Sequence, residues 1–340
     1  MQVVASLPRT ATVLDLFSGT ARVGRALRAA GLSVTANDHN QYAYTLAQCY
    51  VAADVERVRA EAERLIAELN ALPGNPGYFT RTFCEEARYF QPKNGARIDA
   101  MREAIAAAHL DAELEAVLLV SLMEAADRVD STVGLQMAYL KRWAPRAYND
   151  LELRMPELVP GPAGRALMQD AAQCAREGCY DVAYIDPPYN QHKYLNNYHV
   201  WESLVRWDKP EVYGIARKRV DCRSYSSAYN SRPRIQDALR SVIDNLDARY
   251  LIVSFNDEGY VNEFQMRELL ARRGPVAVLR VDFRRYVGAR IGIYNPAGVK
   301  TGTVGKLQNQ ELIFVVACDG ELPAALAARA EPAGVEVTIA

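Results

Sequence analysis

Short apolar runs and amphipathic stretches alternate near the start of the chain. The apolar runs Thr12–Phe17 and Leu32–Ala36 have the length and composition of buried strands. The stretch Arg22–Ala30 between them repeats its apolar residues with a helical period. Gly31 follows that stretch directly, and glycine commonly ends a helix because it adopts a left-handed backbone without strain. The order strand, turn, helix and strand predicts a βαβ unit with parallel strands.

The same alternation returns after residue 164 and continues to residue 317. Its most apolar strand candidate is Val182–Ile185. A polar, glycine-rich loop at Tyr286–Gln310 separates the last two strands, which are expected to form an antiparallel pair. The other predicted elements of this half are strands at Arg165–Met168, Tyr250–Ser254, Val276–Phe283 and Glu311–Ala317 and helices at Ala171–Arg176, His199–Trp207, Ile235–Leu246 and Val261–Arg273.

The stretch between these two regions has a different pattern. A long helix is predicted at Asn40–Asn70, and the turn residues Leu72–Gly77 end it. Helical patterns follow at Gly95–Ala108 and Asp111–Val129 without strand-like runs between them. We therefore predict an α/β domain with a mostly parallel sheet and a C-terminal antiparallel strand pair, interrupted by a helical insertion. The predicted boundaries are residues 1–71 and 163–320 for the α/β domain, 72–162 for the insertion and 321–340 for a peripheral tail.

Composition limits the class of protein. The chain has 340 residues, of which 50% are hydrophobic, so it can bury a large core. A formal net charge of −1 provides no overall attraction for nucleic acid, so such binding would depend on local basic patches. The six cysteines are scattered without a CxxC pair, which argues against a zinc site or a disulfide framework. We expect a cytoplasmic protein without a metal, a signal peptide or a membrane-spanning segment.

The strongest candidate for chemistry is the loop Asp186-Pro187-Pro188-Tyr189, which follows the strand Val182–Ile185. Two successive prolines fix the backbone and remove two N–H donors, so they predict a stiff, extended loop. The Asp186 carboxylate and the Pro187 carbonyl could accept both hydrogens of a planar amine, while Tyr189 stacks on the ring that carries it. Accepting both hydrogens favours the pyramidal nitrogen of a transition state. The alternative is that Asp-Pro-Pro only ends a strand.

A second candidate site lies at the turn Ser18-Gly19-Thr20-Ala21. Gly19 would let the backbone approach a ligand closely, and Asp38 at the end of the next strand would accept hydrogen bonds from ribose hydroxyls. Asp170, at a third strand end, would bind an adenine amine of a cofactor or cap the following helix, and both roles stay open. An ordinary turn between a strand and a helix remains the alternative for the whole site.

Two segments mix basic and aromatic residues in a way that suits contact with nucleic acid. The segment Tyr139–Arg146 lies in the predicted insertion, and the basic segment Lys209–Arg234 follows the proline-rich loop. Cations contact phosphates, and aromatic rings stack on bases. A solvated helix end or a flexible surface loop would have a similar composition, so those interpretations stay open as well. The candidate contacts are Lys141, Arg142, Arg146, Lys193, Tyr194, Arg217, Lys218 and Arg223.

Three features occur in an informative order: DLFSGTAR, an acidic residue at the end of the second strand, and DPPY. In this order the chain resembles the S-adenosylmethionine (SAM)-dependent adenine-specific DNA methyltransferases. It looks most like the alpha-type group that includes Dam and the FokI-type modification enzymes. The run IDPPYNQHKYLNNYHVWESL is similar to the FokI-type pattern, as is the run from YLIVSFNDEG through FRRY to ELIFVV. The resemblance covers most of Thr12–Ala317, although Ala21 replaces the second glycine of the family's cofactor turn.

The resemblance implies a Rossmann-like SAM-dependent methyltransferase fold in which the helical insertion recognises the target. It also implies transfer of a methyl group from SAM to the exocyclic 6-amino group of an adenine flipped out of double-stranded DNA. The implied roles are Phe17, Ser18, Gly19 and Thr20 beside the cofactor's methionine and ribose, Asp38 on the ribose, Asp170 on the cofactor adenine, Asp186 and Pro187 on the target amine, Pro188 within the stiff loop and Tyr189 on the target base.

Other functions share parts of this pattern. An RNA adenine methyltransferase would use the same chemistry, but such enzymes usually lack a large helical insertion at this place. Methylation of a glutamine side chain would favour asparagine at position 186. A catalytically silent nucleic-acid-binding module would be expected to have a damaged cofactor turn or DPPY motif, and both are intact. We therefore predict a monomeric modification methylase for double-stranded DNA, with a cognate restriction endonuclease as a candidate partner.

Overall fold

The computed structural model describes residues 1–284, 293–294, 300–302, 308–324, 326 and 336–339. Most of the predicted loop Tyr286–Gln310 and most of the predicted tail lie outside these residues. The chain forms two compact units. Unit 1 consists of Met1–Leu14, Ala172–Gln191 and the described part of Ala228–Ala340, and unit 2 consists of Asp15–Ala171 and His192–Ser227.

Strands and helices alternate at both ends of the chain, as the sequence predicts. The strands, numbered along the chain, are β1 (Thr12–Asp15), β2 (Ser33–Asn37), β3 (Arg165–Leu167), β4 (Cys179–Ile185), β5 (Val212–Tyr213), β6 (Lys218–Arg219), β7 (Asp247–Asn256), β8 (Val276–Arg284), β9 (Ile293–Tyr294), β10 (Lys300–Gly302), β11 (Gln308–Ala317) and β12 (Glu336–Ile339). The α-helices are α1 (Arg22–Ala29), α2 (Gln41–Ala47), α3 (Val55–Ala71), α4 (Pro92–Ala107), α5 (Ala112–Asp127), α6 (Ala171–Cys174), α7 (Tyr194–Asn197), α8 (His199–Arg206), α9 (Asp221–Ser224), α10 (Ile235–Asn245) and α11 (Glu263–Ala271).

The strands of unit 1 lie in the order β12-β8-β11-β7-β4-β1. β4 runs parallel to β7, and β11 pairs antiparallel with both β7 and β8. The predicted α/β class with a C-terminal antiparallel strand pair is therefore confirmed. The structure adds two features that the sequence pattern did not indicate. β11 lies between β7 and β8, and Glu336–Ile339 of the tail pairs antiparallel with β8.

Apolar side chains of β4 and β7 fill the core of unit 1. Val182, Ile185 and Leu251 are fully buried, and a nearly continuous apolar run is typical of strands that are covered on both faces. The start of β4 is also held by charge. Asp181 accepts the backbone N–H groups of Ala11 (2.8 Å) and Thr12 (2.9 Å), so the strand is anchored before it reaches the proline-rich loop.

The predicted long helix Asn40–Asn70 is wrong, because unit 2 divides this stretch into α2 and α3. A wide, π-helical turn at Gln48–Ala52 ends the first helix, and Ala53 is extended. Asp54 then begins the second helix by accepting the N–H groups of Glu56 (3.1 Å) and Arg57 (3.4 Å). An aspartate in this role satisfies donors that a helix start otherwise leaves unpaired. The helical period of the sequence continued across the break and concealed it.

The two helices predicted for the insertion, Gly95–Ala108 and Asp111–Val129, are confirmed as α4 and α5. Asp111 begins α5 by accepting the N–H groups of its first turn, as its residue type predicts. The buried Asp99 on α4 accepts the N–H groups of Phe79 (2.9 Å) and Thr80 (2.8 Å). This carboxylate therefore fixes the start of the turn at Thr80–Glu85, which precedes α4.

Candidate active site

The predicted cofactor turn, Ser18–Ala21 of unit 2, is built around one buried asparagine. Asn37 at the end of β2 is 1% exposed, and its side-chain amide donates to the carbonyls of Leu16 (3.1 Å) and Gln169 (3.3 Å). The N–H of Gln169 donates back to Asn37 Oδ1 (3.1 Å). Leu16 follows β1 and Gln169 follows β3, so one side chain aligns three strand ends. The sequence analysis assigned no role to Asn37 and missed this one.

Asp38 lies beside Asn37 and is tied to the predicted turn. Its Oδ2 accepts the N–H of Gly19 (3.0 Å), and its Oδ1 accepts the backbone N–H (2.9 Å) and side-chain amide (3.1 Å) of Asn40. Burial raises the pKa of Asp38, and the hydrogen bonds from Asn40 and Gly19 oppose that rise.

Backbone geometry leaves space beside the turn. Gly19 has a φ of +50°, and the nearest atom to a Cβ placed there would be the Phe17 carbonyl oxygen at 4.0 Å. Ala21, at the position of the expected second glycine, has a φ of +57°. A left-handed backbone costs a residue with a side chain about 1–2 kcal/mol, so the turn retains strain where it meets α1. Gly24 on α1 packs closely, because a Cβ there would lie 2.9 Å from Val51.

Ser18 supplies a direct test of whether a ligand fits this turn. Its backbone N–H donates to the Asn37 carbonyl (2.8 Å), and the residue is 7% exposed. Its hydroxyl is buried and has no hydrogen-bond partner among the residues that the structure describes. Leaving a buried hydroxyl unpaired costs about 1–3 kcal/mol, which a polar ligand group would recover. The unpaired Ser18 hydroxyl and the space at Gly19, beside the carboxylate of Asp38, fit a cofactor that contains a nucleoside.

Tyr225 is a residue of this region that sequence reasoning missed. Its ring stacks on His39, with the ring centres 5.6 Å apart and 29° between the planes. Burial raises the pKa of Tyr225 most, and the negative charges of Asp38 and Asp170 raise it further. Both predicted cofactor carboxylates therefore act on the same phenol. The sequence offered no signal for this, because Tyr225 lies in the irregular segment Lys209–Arg234.

The predicted catalytic loop belongs to unit 1 and begins where β4 ends. The Tyr184 hydroxyl donates to Asp186 Oδ2 (3.3 Å) from two residues earlier, on the same face of the strand. Part of the Asp186 side chain is exposed to solvent, whereas protein atoms crowd its remaining sides. This burial raises the pKa of Asp186 to about 7, with a further contribution from the charge of Glu311 and an opposing one from Tyr184. Near neutral pH, Asp186 therefore exists in both protonated and ionised forms.

Glu311 is the second residue that sequence reasoning missed, since it was placed only at the start of a strand. On β11 it lies opposite Asn256 of β7, and its Oε1 accepts the hydroxyl of Ser254. Burial raises the pKa of Glu311, and the charge of Glu311 raises the pKa of Asp186 and of Tyr189. Only the register of β11 brings this carboxylate near the loop, and register is not visible in a single sequence.

Tyr189 is held in place by both its ring and its backbone. The ring packs edge-on against the buried Phe255, with centres 6.0 Å apart and 67° between the planes. The N–H of Tyr260 donates to the Tyr189 carbonyl (2.9 Å). Gly259 makes room for this arrangement, because a Cβ there would lie 2.3 Å from Phe255 Cε1. The loop that contains the buried Pro187 therefore starts and ends at fixed points.

Several predicted nucleic-acid contacts are used within unit 2. Arg146 donates to the buried carboxylate of Asp130 and to the Thr132 carbonyl (2.9 Å), so it holds a turn. Arg217 pairs with Glu86 (3.5 Å). These pairs neutralise part of the positive charge that the sequence suggested for phosphate binding.

The remaining predicted contacts differ in exposure. The Arg223 guanidinium lies 4.0 Å from the centre of the Tyr213 ring, and Lys193 donates to the Tyr225 carbonyl. Tyr194 is 42% exposed and stacks on Tyr198. Lys141 and Arg142 are exposed, and Lys218 is half-buried. DNA contact by these residues stays a prediction.

The described residues contain neither a metal-binding cluster nor a membrane-spanning helix. No group of three or more His, Cys, Asp or Glu side chains among them could hold a metal ion. The helices in the same part of the chain are each too short or too polar to cross a membrane.

Comparison with known proteins agrees with the site. Residues 2–268 match the family model of the D12 class N6 adenine-specific DNA methyltransferases. The chain is 31% identical over 282 residues to the type II methyltransferase M.NlaIII of Neisseria lactamica, which covers 80% of this chain and 83% of that protein. It is 29% identical to the modification methylase StsI of Streptococcus sanguinis and to the type II methyltransferase M.FokI of Planomicrobium okeanokoites.

The matches to StsI and M.FokI cover 80% of this chain but only 44% and 45% of those proteins, so the chain spans less than half of their length. The family match, by contrast, includes the cofactor turn, the helical insertion and the DPPY loop. It confirms the resemblance that these motifs predicted. The chain belongs to the D12 class N6 adenine-specific DNA methyltransferases and is an enzyme of that kind.

Proposed function

We propose that this enzyme transfers a methyl group from SAM to the 6-amino group of an adenine extruded from double-stranded DNA, as a modification methylase. The observation that carries the proposal is the Asp186 carboxylate at the end of β4, followed by a proline-stiffened loop with a fixed Tyr189 ring. The N6 amine of paired adenine is unreachable inside the duplex, so the base must leave the stack.

Asp186 and the Pro187 carbonyl would accept the two hydrogens of the target amine. Only the ionised carboxylate has all its acceptor positions available, and this form is present at neutral pH because the pKa of Asp186 is about 7. As the nitrogen becomes pyramidal its hydrogens gain positive character, so these bonds strengthen in the transition state. A carboxylate with this pKa is also suited to take up the proton that the amine releases.

Tyr189 would stack on the extruded adenine. Extrusion costs a few kcal/mol, and stacking on an aromatic ring recovers about 1–3 kcal/mol per base. The contacts of Tyr189 with Phe255 and Tyr260 fix the ring before the base arrives. Less conformational entropy is therefore lost on binding.

The turn in unit 2 would hold the cofactor, with Ser18, Gly19 and Asp38 near its ribose and methionine and Asp170 near its adenine. Phe17 and Thr20 would line the same turn. SAM supplies an electrophilic methyl group on sulfur. The residues of the turn bind and orient that donor, and orientation of this kind can contribute several kcal/mol to catalysis.

The proposal is tested by expressing the chain in cells that lack adenine methylation and sequencing the modified bases in their DNA. We expect N6-methyladenine within one short recognition sequence. Asp186→Ala should abolish the modification while the purified variant still binds SAM. Full methylation by Asp186→Ala would reject the role of the carboxylate, and methylation only of RNA would reject the substrate.

We further propose that the enzyme acts as a monomer in the cytoplasm beside a cognate restriction endonuclease. The relatives named as modification methylases support the last of these points, the pairing with an endonuclease. Light scattering of the purified chain tests the first point. The presence of a cognate endonuclease is tested by sequencing the neighbouring genes and assaying their products for cleavage of unmethylated DNA.

A further inference from the structure

The helix α2 of unit 2 begins at Gln41, three residues after Asp38. Asn40, directly before the helix, is of the type that commonly caps a helix by accepting N–H groups of its first turn. Its side-chain amide instead donates to Asp38 Oδ1 (3.1 Å), and its backbone N–H donates to the same oxygen (2.9 Å). The first N–H groups of α2 therefore need an acceptor from elsewhere, because a helix start leaves them without partners.

Glu202 on α8, in the same unit, supplies that acceptor from a distant part of the chain. Its Oε2 accepts the N–H of Tyr42 (3.0 Å), and its Oε1 accepts the N–H of Gln41 (3.3 Å). The Tyr42 ring also packs against Tyr198, just before α8, with the ring centres 5.5 Å apart. A carboxylate at this place interacts favourably with the positive end of the helix dipole as well. Both oxygens of one carboxylate thus hold the start of α2.

The Glu202 carboxylate is buried, with 4% of the residue exposed. Burial raises the pKa of Glu202, and the hydrogen bonds from Tyr42 and Gln41 oppose that rise, as does the charge of Arg206. The Arg206 guanidinium lies 3.9 Å from Glu202 Oε1. A buried carboxylate without such partners is strongly unfavourable. A shift of α2 away from α8 would therefore be costly, because it would remove two of the groups that stabilise this charge.

The start of α8 is itself fixed by a residue of the helical insertion. The side-chain oxygen of Gln136 accepts the N–H groups of Val200 (2.9 Å) and Trp201 (3.4 Å), in the first turn of α8. Gln136 is 3% exposed, so this cap is protected from competing water. Glu202 is the residue after Trp201, and the cap on the first turn therefore also fixes the backbone that carries the carboxylate.

These contacts form a continuous series that ends at the predicted cofactor turn. Glu202 holds Gln41, the peptide bond joins Gln41 to Asn40, and Asn40 donates twice to Asp38. The other oxygen of Asp38 accepts the N–H of Gly19 (3.0 Å). The orientation of the Asp38 carboxylate therefore depends on where α2 begins.

We propose that Glu202 is a positioning residue for the cofactor, which holds the start of α2 and thereby keeps the Asp38 carboxylate in the orientation that binds SAM. This inference rests on the proposed function, because that function assigns Asp38 to the cofactor. An acceptor that is already oriented loses less conformational entropy when its ligand binds. Loosening α2 should therefore weaken SAM binding and leave the methyl-transfer step unchanged.

Glu202→Gln tests the proposal, because glutamine has nearly the same size but is neutral and offers one acceptor oxygen where glutamate offers two. We expect the dissociation constant for SAM, measured by calorimetry, to rise about 10-fold. At saturating SAM and DNA, kcat should stay within about twofold of the unaltered enzyme, since the loop Asp186–Tyr189 is unchanged. Unaltered SAM affinity in Glu202→Gln would overturn the proposal.

Asn40→Ala removes the next contact in the series. The Asn40 side chain is only half-buried, so this variant is expected to fold even if Glu202→Gln does not. It should raise the dissociation constant for SAM about threefold, because one hydrogen bond to Asp38 is lost. If Asn40→Ala binds SAM as tightly as the unaltered enzyme, the series does not position Asp38 and the proposal is rejected.

Asp99→Asn is the matched control for loss of a buried carboxylate. Asp99 belongs to the same unit, is 2% exposed and accepts the N–H groups of Phe79 and Thr80 at another helical turn. Asp99→Asn and Glu202→Gln should both lower the unfolding temperature, but Asp99→Asn should retain full SAM affinity. An equal loss of SAM affinity in both variants would indicate general destabilisation and reject the positioning role.

Combining Glu202→Gln with Asp38→Ala shows whether the effect passes through Asp38. If it does, Glu202→Gln should weaken SAM binding less than about twofold in the Asp38→Ala background. A full 10-fold loss in that background would overturn the proposal. If Asp38→Ala alone leaves SAM affinity unchanged, the proposed role of Asp38 itself fails. Weaker binding in Asp38→Ala but not in Glu202→Gln would reject this inference alone.

Discussion

Two carboxylates at strand ends, Asp38 in unit 2 and Asp186 in unit 1, are treated differently by the protein. Burial raises the pKa of both. Asp38 accepts three hydrogen bonds from Gly19 and Asn40, which stabilise its charge and fix its orientation. Among the described residues, Asp186 accepts one long hydrogen bond, from Tyr184, and lies near a second negative charge.

The difference matches the roles proposed for the two carboxylates, cofactor binding by Asp38 and methyl transfer by Asp186. A group that orients a cofactor performs best when its position and charge never change. A group that meets an amine before, during and after methyl transfer must lose and regain favourable contacts, so it cannot be saturated by the protein. Unsatisfied carboxylates with raised pKa values are accordingly common at catalytic positions. The comparison predicts that substitution of Asp38 weakens SAM binding, whereas substitution of Asp186 impairs methyl transfer and leaves SAM binding intact.

The largest expected effect is on cofactor binding in Asp38→Ala. The substitution removes the ribose acceptor and leaves the N–H groups of Gly19 and Asn40 without their carboxylate. Each lost hydrogen bond to a charged group is worth about 1.5–3 kcal/mol, so the dissociation constant for SAM should rise at least about 100-fold by calorimetry. Asp186→Ala is the control and should bind SAM within about twofold of the unaltered enzyme. Equal weakening in both variants would remove the distinction between the two carboxylates.

Smaller effects, on stability and on kcat, are expected from a substitution of Gly259. This glycine lies against the Phe255 ring, which contacts Tyr189 of the loop Asp186–Tyr189. In Gly259→Ala the new Cβ would lie 2.3 Å from the ring of Phe255, which is 2% exposed and has no space to move away. Overpacking of this kind costs about 1–3 kcal/mol, and the displaced ring would also shift Tyr189. Urea unfolding should show the lost stability, and initial rates should show a lower kcat.

The double variant Gly259→Ala with Phe255→Leu tests the cause. Leucine is smaller than phenylalanine and leaves room for the new methyl group. The two changes should therefore be non-additive, with the double variant less destabilised than the sum of the single ones. Additive losses would mean that the ring contact is not the reason for glycine at this position.

The sequence was sufficient for those features that local pattern and motif order determine. It located Gly19, Asp38 and the loop Asp186–Tyr189, because a strand followed by a glycine turn or by two prolines has few alternative structures. It failed at the break between α2 and α3, where a helical period continues across Asp54. There a side-chain hydrogen bond, rather than hydrophobic periodicity, decides the structure.

The candidate site residues that the sequence did not predict were missed for a different reason. Asn37, Tyr225 and Glu311 act through partners that are distant in sequence, such as Gln169 for Asn37. Strand register and the path of an irregular segment create those neighbours, and neither can be derived from one sequence. Arg146 shows the same limit, since the sequence did not reveal that this cation pairs with the buried Asp130. Its contact with nucleic acid stays a prediction.

An intermediate effect on SAM affinity, smaller than that of Asp38→Ala, is expected from Tyr225. Its ring stacks on His39 beside the cofactor turn, and aromatic contacts are worth about 0.5–1.5 kcal/mol. Tyr225→Ala should weaken SAM binding by about fivefold, whereas Tyr225→Phe should retain nearly full affinity. Tyr148→Ala, an exposed tyrosine of the same unit, serves as control. Equal losses in Tyr225→Phe and Tyr225→Ala would assign the effect to the hydroxyl instead of the ring.

The smallest expected effect concerns Glu311. It tests whether the charge of Glu311 contributes to the raised pKa of Asp186. Since Asp186 must be ionised to accept both amine hydrogens, kcat/KM should rise as pH increases through about 7. Glu311→Gln removes a negative charge that raises the pKa of Asp186, so the acid limb of the profile should move to lower pH. Glu263→Gln is the control, because its carboxylate pairs with Arg280 (2.6 Å). An unmoved profile in Glu311→Gln would exclude the coupling.

The raised pKa of Asp186 also makes the stability of the fold depend on pH. The folded-state pKa of Asp186, about 7, lies above its ordinary value of 3.8, so the folded protein retains a proton that the unfolded chain has released. The stabilisation from that proton is complete below pH 3.8 and is lost as pH rises to about 7. Asp186→Asn should therefore unfold at a higher temperature than the unaltered enzyme at pH 8, while the difference shrinks at pH 4. The pKa of Asp38 is raised as well, so the two carboxylates differ in how strongly hydrogen bonds oppose the penalty of burial: Gly19 and Asn40 donate to Asp38, whereas Tyr184 donates to Asp186.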